Sequence, residues 1–571
     1  MALLDVRDLQ VAYRDPSSGD LTMAVDGVSF TVEPGETLGI VGESGCGKST
    51  LARALMAYCR SGGVIAGGEI LFDGEDILKF DDNQIRDLRG SRMAMVPQDP
   101  LTSLTFHMKV GAQVDEILQI HQNLGAQAAR LSTLKLFDGT NLPEPKNIYG
   151  RYPHENSGGQ RQRVVIAGAL ACEPALLILD EPTTALDTTT EMQVLKLVKE
   201  LRERMGTTLV YITHDLTLTD YMCENVLVML NGKIVERGEA SEVFSSPRTD
   251  YGKMLASAVP RIDAAAPEKA NPLHRTATRP LLKVDHLSYR YAQRWSIDAL
   301  FNPSNEKLAV NDVSFELHNG ATLSLVGESG SGKSTLANII AGLMAPTSGS
   351  VIYDGTPINI ADKYRTTDLR RRIQLIFQDP LSSLNPRRRI ESILTRPQEV
   401  FFGITGQEAR DRAVELLEDM ELSADLLKRF PRQLSGGQQQ RVAIARAFAA
   451  QPDLILCDEV TSALDVSVQA HVLEVLKKIQ VKTGAASLFI SHDLGVVKQV
   501  ADETVVLQNG RIVEAGPTPK IFATPTHGYT QLLLAAASRR EDYSDLVASS
   551  PSAAIKNPKG GPEVHVMSDD S

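Results

Sequence analysis

Two stretches of nine residues carry the most legible chemistry in the chain. GESGCGKST begins at Gly42 and GESGSGKST at Gly327. Each holds Gly-x4-Gly-Lys-Ser: Gly42, Gly47, Lys48 and Ser49 in the first, Gly327, Gly332, Lys333 and Ser334 in the second. A bound triphosphate needs several backbone N–H groups turned inward, and glycines let a chain curl that tightly. Glu43, Ser44, Gly45, Cys46 and Thr50 complete the first loop, and Glu328, Ser329, Gly330, Ser331 and Thr335 the second. The helix that follows would turn its positive end toward the anion. Lys48 and Lys333 then supply a point charge to the β and γ oxygens, and the hydroxyls of Ser49 and Ser334 ligate Mg²⁺. One such loop could arise by chance; two, each between an apolar strand and a helical pattern, make chance negligible.

Acidic groups follow at matching places. ALLILD ends at Asp180 and DLILCD at Asp458, apolar up to the last residue and then abruptly charged. Asp180 and Asp458 are expected to hold Mg²⁺ directly or through water, while Glu181 and Glu459 polarise an attacking water as general bases. His214 and His492 follow the next apolar strands, each 34 residues after its aspartate. Either could be an ordinary cap; the identical placement in both copies favours a part in the chemistry. A second glycine motif precedes each acid: NSGGQRQR, with Ser157, Gly158, Gly159 and Gln160, and LSGGQQQR, with Ser435, Gly436, Gly437 and Gln438. A Ser-Gly-Gly at a helix start offers a hydroxyl and exposed N–H groups, a second phosphate-binding end. Spacing alone does not say whose phosphate it meets.

These residues recur because one unit is written twice. The two phosphate loops are 285 residues apart, whereas the aspartates, the histidines, and Tyr13 and Tyr291 are 278 apart. The excess of seven comes from a longer loop in the second half, QRWSIDALFNPSNEKLAV against RDPSSGDLTMAV. Two copies of so long a unit do not make a solenoid. ETLGIVG and TLSLVG read as strands, and LARALMAYC and LANIIAGLM as helices. ALLILD, DLILCD, TLVYITHD and SLFISHD read as buried parallel strands. Strands alternating with helices predict an α/β fold whose functional residues sit where strands end. The expected domains are 1–262 and 281–537, joined by an Ala/Pro-rich tether at 263–280 and followed by a disordered tail at 538–571.

Composition excludes other classes. With 59 Lys+Arg against 71 Asp+Glu in 571 residues, the net charge of −12 argues against a broad grip on nucleic acid. The five cysteines never form a CxxC pair, which removes zinc ribbons and a disulfide framework and suits a reducing compartment. Asp5, Arg7 and Asp8 interrupt any signal-peptide core, and Glu173 and Pro174 break the longest apolar stretch short of the ~18–20 residues of a membrane span. The chain is therefore expected to be cytosolic with no span of its own. Cys46, beside a helix N-terminus, is expected to have a lowered thiol pKa; the competing reading is a small residue filling space.

Together these motifs resemble the nucleotide-binding domains of ABC ATPases. The resemblance implies two tandem P-loop NTPase (ABC-type) domains, each with a parallel-sheet core, a β subdomain and a helical subdomain. It further implies that the two domains close head to tail with ATP between them. One site would combine 42–49, Gln98, Asp180, Glu181 and His214 with 434–438; the other would combine 327–334, Gln378, Asp458, Glu459 and His492 with 156–160. Gln98 and Gln378 would also reach Mg²⁺, and Asp187 and Asp465 would link the two sites. Tyr13 and Tyr291 match the aromatic that stacks on adenine, with Tyr289, on the same strand face, a rival.

The stretches VPQDPLTSL and IFQDPLSSLNP, and the endings SSPRTDYGKMLASAVP and ATPTHGYTQLLLAAA, are similar to the dipeptide/oligopeptide/nickel importer branch. That implies an ATPase with ATP and Mg²⁺ as cofactors, peripheral on the cytoplasmic face of the inner membrane. Its partners would be two separate integral-membrane permeases and an extracytoplasmic solute-binding protein, with no nucleic acid, and it would energise uptake of peptides or related solutes. Segments 99–156 and 379–434 are expected to be helical and to dock on the permeases. Neither 245–280 nor 523–571 holds a cysteine, so no iron–sulfur cluster is expected. Asn156 replaces the signature leucine and Val460 the proline usual after the catalytic acid, which predicts unequal sites. The rival class, a soluble twin-cassette protein acting on ribosomes or DNA, would call for a long charged linker, zinc cysteines or coiled coils.

Overall fold

The computed structural model describes residues 2–14, 19–183, 186–259, 262, 279–291, 308–358, 365–461 and 464–539. Residues 263–278 of the expected tether, 292–307 of the long second-half loop, and 540–571 of the expected tail lie outside the described residues. The chain divides into two compact units, Met1–Pro260 with Leu464–Val472, and Arg261–Ala463 with Leu473–Ser571.

In the first unit the apolar runs become the middle of a six-stranded sheet. Its order is Lys233–Glu239, Asn225–Leu230, Thr37–Val41, Thr208–Thr213, Leu176–Asp180, Met93–Val96. All neighbours are parallel except the first pair. Thr37–Val41, Leu176–Asp180 and Thr208–Thr213 are buried at every residue, as parallel strands covered on both faces must be. Thr213 pairs with Val41, and Ile212 with Asp180, so these three strands end nearly level. The phosphate loop, Glu181 and His214 therefore emerge side by side at one edge of the sheet.

Side chains alternate across those strands and feed two cores. Ile178 and Ile212 join Leu51 and Leu55 of the helix Lys48–Leu55, and Leu4 and Ile70 of a separate antiparallel sheet. That sheet runs Leu21–Val32, Leu4–Arg14, Gly63–Phe72, Glu75–Asp76. Leu177 and Leu179 instead meet Val114, Phe137, Ile166 and Leu195, from the helices Val110–Gln122, Ala126–Gly139, Gly158–Ala169 and Thr188–Met205. Each such side chain stabilises the fold by about 1.5–3 kcal/mol when fully buried.

The second unit repeats the plan: Ile373–Ile376, Leu454–Asp458, Ala486–Ile490, Thr322–Val326, Glu503–Gln508, Arg511–Pro517, with an antiparallel sheet of Val310–Leu317, Leu282–Tyr289, Ser348–Tyr353, Thr356–Pro357. The segments expected to be helical carry Val110–Gln122 and Ala126–Gly139, and Ile390–Phe402 and Gly406–Asp419. The helix after each phosphate loop is shorter than its periodicity suggests. The first stops at Leu55, with Ala57 turned to φ 53°, and the second, Lys333–Ala341, stops at Gly342, φ 88°. After each antiparallel edge strand the chain closes with a helix, Asp250–Ala258 or Gly528–Ala537. No described helix is long and apolar enough to cross a membrane.

Candidate functional site

Each phosphate loop is wound so tightly that side chains are excluded at its last glycine. Gly47 has φ 108° and Gly332 φ 103°; a Cβ there would stand 2.2 Å from the Ala24 carbonyl oxygen and 2.4 Å from that of Ala309. Lys48 is buried, and its Nζ donates to the carbonyls of Gly42 at 2.6 Å and Glu43 at 3.0 Å. Lys333 does the same to Gly327 at 2.7 Å and Glu328 at 2.8 Å. Both lysines are thus folded over their own loops.

The serine hydroxyls meet the strand-end acids. Ser49 Oγ donates to Asp180 Oδ1 at 2.9 Å, and Ser334 Oγ to Asp458 Oδ1 at 2.9 Å. Asp180 is wholly buried, and its Oδ2 has no hydrogen-bond partner among the described residues. Burial pushes the Asp180 carboxyl up, assisted by Glu181 and opposed by Ser49, Arg53 and Lys48; Asp458 is raised for the same leading reason. A buried carboxylate oxygen lacking a donor, beside a hydroxyl, is a fit for a hard cation that takes oxygen ligands. Among the described residues no group of three His, Cys, Asp or Glu is placed to hold a metal ion.

Glu181 and Glu459 have φ 48° and 47°, a left-handed backbone that non-glycine residues rarely adopt and that costs about 1–3 kcal/mol. The Glu181 N–H donates to the Ile212 carbonyl at 2.9 Å and the Glu459 N–H to that of Ile490 at 3.0 Å, pinning the turn. On Glu181 Oε2 converge Gln98 Nε2 at 3.0 Å and His214 Nδ1 at 3.3 Å. On Glu459 Oε2 converge Gln378 Nε2 at 2.7 Å and His492 Nδ1 at 3.5 Å. Burial alone would lower both imidazoles, but the hydrogen bond and charge of the neighbouring glutamate outweigh it and both are raised. Burial would likewise raise Glu459, and His492 with Lys333 outweighs it, holding that carboxyl low.

Other expected residues lie apart from this cluster. Ser157 and Ser435 are exposed N-caps with capping boxes: each hydroxyl accepts from the N–H of Gln160 or Gln438, at 3.3 and 3.4 Å. Among the described residues no hydrogen bond joins either serine to the phosphate loop of its own unit. Asp187 caps the helix Thr188–Met205 through the Thr190 N–H at 3.0 Å. Asp465 lies in the segment Leu464–Val472 that clusters with the first unit, and its Oδ1 accepts from the Ser44 N–H at 2.8 Å. Tyr291 falls just beyond the strand Leu282–Tyr289; its hydroxyl is 3.0 Å from Thr335 Oγ1, and Tyr289 stands edge-on to it at 5.0 Å. Tyr13 is half-buried, with its ring against Gly63.

One expectation is corrected and one contact was missed. Burial pushes the Cys46 thiol up, more than Lys48 pulls it down, so the helix N-terminus does not make it acidic. The hydroxyls of Tyr251 and Tyr529 accept from the N–H of Glu43 at 3.1 Å and Glu328 at 2.9 Å. Their spacing of 278, the period of the duplication, was the signal that could have found them.

The family described as ABC transporter matches residues 25–184 and 310–462, and that described as oligopeptide/dipeptide transporter, C-terminal region, matches 235–283 and 513–562. The glutathione import ATP-binding protein GsiA of Pectobacterium atrosepticum is 40% identical over 562 residues, 94% of this chain and 89% of the relative. GsiA of Escherichia coli K12 is 39% identical over 559 residues, with the same shares. A solved dimeric ATP-binding cassette, MJ0796 with ADP and Pi, is 32% identical over 42% of this chain and 98% of its own, at TM-score 0.38. The reading as a ribosome or DNA factor is not favoured. With the same loop, acids, glutamine and histidine assembled in both units, the chain belongs to the ABC transporter ATP-binding proteins of the oligopeptide/dipeptide branch, as the ATP-hydrolysing subunit of an importer that works with membrane permeases.

Proposed function

We propose that the domains 1–262 and 281–537 form two composite ATP sites that energise uptake of glutathione or short peptides. The observation that carries this is the recurrence, in two sequence-divergent units, of one arrangement. A lysine lies on its loop, a serine on a buried aspartate, and a glutamine and a histidine on one glutamate.

The chain's own groups then have definite tasks. Lys48 and Lys333 leave their loop carbonyls for the β and γ oxygens. Ser49, Asp180 and Gln98, and Ser334, Asp458 and Gln378, would hold Mg²⁺, which when bound neutralises charge on the phosphate oxygens. Glu181 and Glu459, oriented by glutamine and histidine, accept a proton from the attacking water. The exposed Ser157 and Ser435, each at the N-terminus of a helix of 12 or 13 residues, are available to a phosphate held by the opposite domain. Closure on two nucleotides would bias the pair toward one conformation, and hydrolysis would release it. Two permeases and an extracytoplasmic binding protein at the inner membrane complete the assembly in this reading. The names of the relatives and the matched C-terminal region support glutathione or a short peptide as solute.

The test uses vesicles carrying this chain with candidate permeases and a candidate binding protein from the same cell. ATP-dependent uptake of labelled glutathione or a dipeptide is expected. Uptake of Ni²⁺ alone, or of nothing, overturns the solute assignment. A cryo-EM map of the Glu181→Gln, Glu459→Gln chain with Mg-ATP should place Ser435 against the nucleotide on 42–49. Both serines turned away from any triphosphate would overturn the composite site.

A further inference from the structure

The closing helices of the two units are each tied to a phosphate loop, and nothing in the ATPase chemistry above uses that tie. Tyr251 is the second residue of Asp250–Ala258, and Tyr529 the second of Gly528–Ala537. Their hydroxyls hold the N–H groups of Glu43 and Glu328, the residues directly after the first loop glycine. The carbonyls of the same two residues accept from Lys48 and Lys333. Residues 43 and 328 are therefore gripped on one side by a tyrosine and on the other by the lysine that must leave when nucleotide binds.

The tyrosines are themselves placed by a carboxylate on the edge strand. In the first unit Glu236 accepts from the backbone N–H of Arg248 at 2.6 Å and Thr249 at 3.1 Å, and from the Thr249 hydroxyl, while Thr249 caps the helix through Gly252 N–H at 3.0 Å. In the second, Glu514 accepts from Thr526 N–H at 2.8 Å, its hydroxyl at 2.7 Å and His527 N–H at 3.1 Å, while His527 Nδ1 accepts from the Tyr529 N–H at 3.2 Å. The capping residue differs, Thr249 in one unit and His527 in the other, yet the tyrosine-to-loop bond is kept. Several donors on one carboxylate make charge-assisted bonds, stronger than neutral ones, and these place the helix start.

We propose that Tyr251 and Tyr529 are positioning residues for nucleotide: each holds the first turn of its phosphate loop in the binding shape while the loop lysine transfers from backbone carbonyls to phosphate. This rests on reading 42–49 and 327–334 as phosphate loops. The expected signature is a weaker grip on nucleotide with chemistry intact. A lone neutral hydrogen bond corresponds to a change of about threefold to tenfold.

The experiment compares the full chain with its Tyr251→Phe and Tyr529→Phe variants, which keep the ring and remove only the hydroxyl. Titration with a non-hydrolysable Mg-ATP analogue should show Kd raised about threefold to tenfold at the altered site. The steady-state KM should rise with kcat nearly constant, and hydrogen–deuterium exchange should quicken in the peptide containing Glu43 or Glu328. Unchanged Kd and exchange in both variants, with the parent chain binding normally, would overturn the inference alone; so would a fall in Tm and kcat at constant KM, the mark of a merely structural tyrosine. A parent chain that binds no nucleotide would remove the phosphate-loop reading and the inference with it.

Discussion

In the first unit Asn156 stands before the signature serine, and in the second Leu434 does. Both are buried, but Asn156 donates through Nδ2 to the Tyr152 carbonyl at 2.9 Å and leaves Oδ1 with no partner among the described residues. After Glu181 comes Pro182, and after Glu459 comes Val460. The Glu181 side chain is 8% exposed and that of Glu459 19%. The loop lysines and serines, the strand-end acids, the glutamines and the histidines are the same in the two units; the substitutions fall beside them, at Cys46 and Ser331, Asn156 and Leu434, and Pro182 and Val460. The lesson is that duplication kept the positions of charged and hydroxyl groups and relaxed their supports. Unequal rates from equal ligands are what such a pair should produce.

The largest expected effect tests that inequality at its centre. Glu181→Gln and Glu459→Gln should each cut steady-state ATP turnover, by about a hundredfold or more where the altered site dominates, because the proposed general base is removed. The two losses should differ. Equal losses in the same assay would break the comparison, since they would make the two supports equivalent.

Next in size is a pH effect confined to one unit at a time. In the proposed role Glu459 must be ionised to accept a proton, and His492, with Lys333, holds its carboxyl low against the upward pull of burial. His492→Ala removes the larger lowering influence and leaves burial opposed by Lys333 alone, so the carboxyl rises and the acid limb of the rate profile moves to higher pH. At the alkaline end His492, itself raised by Glu459, keeps its positive charge above the ordinary histidine range and loses it as pH climbs through the shifted value. A pH–rate profile of the variant with an unmoved acid limb would show that the pairing does not govern the base.

The sequence told much about this cluster, and the reason is specific. Asp180, Glu181 and His214 stand at the ends of buried strands, so their place follows from where apolar runs stop, and level strand ends bring them together. The left-handed backbone at Glu181 and Glu459 was not legible, because glutamate carries no preference for it and the bond of its N–H to the Ile212 or Ile490 carbonyl is long-range in sequence. The early end of the helix at Leu55 was hidden for a related reason: an apolar pattern continues through Tyr58 while the backbone turns at Ala57. The repeat period could single out Tyr251 and Tyr529, but not their target, because Tyr251 lies 208 positions from Glu43 and meets it through the closing helix.

A smaller effect sharpens the asymmetry through stability. Asn156→Leu copies the second unit into the first. It removes a buried carbonyl oxygen without a donor and gives up one hydrogen bond, a net gain of about 1 kcal/mol. In calorimetry the transition of the first unit should rise by about 2–4 °C with that of the second unmoved. A fall would show that the Asn156–Tyr152 bond outweighs the unpaired oxygen.

The smallest effect belongs to Cys46 and its counterpart Ser331. Cys46 is 5% exposed, and its Sγ stands 3.9 Å from Lys48 Nζ, where Ser331 Oγ stands 3.4 Å from Lys333 Nζ. Both atoms fill the hollow of the loop, close enough to the first glycine that a Cβ on Gly42 would meet Sγ at 2.8 Å. Burial raises the thiol, so little thiolate is present near neutral pH, and only the thiolate attacks an alkylator. Iodoacetamide should therefore modify the partly exposed Cys59 and Cys172 before Cys46, as read by mass spectrometry of the labelled peptides. Cys46→Ser should leave KM for ATP within about twofold of the parent. Rapid, ATP-protected loss of activity on alkylation would show instead that Lys48 prevails over burial, and that the first loop, unlike the second, carries a reactive group.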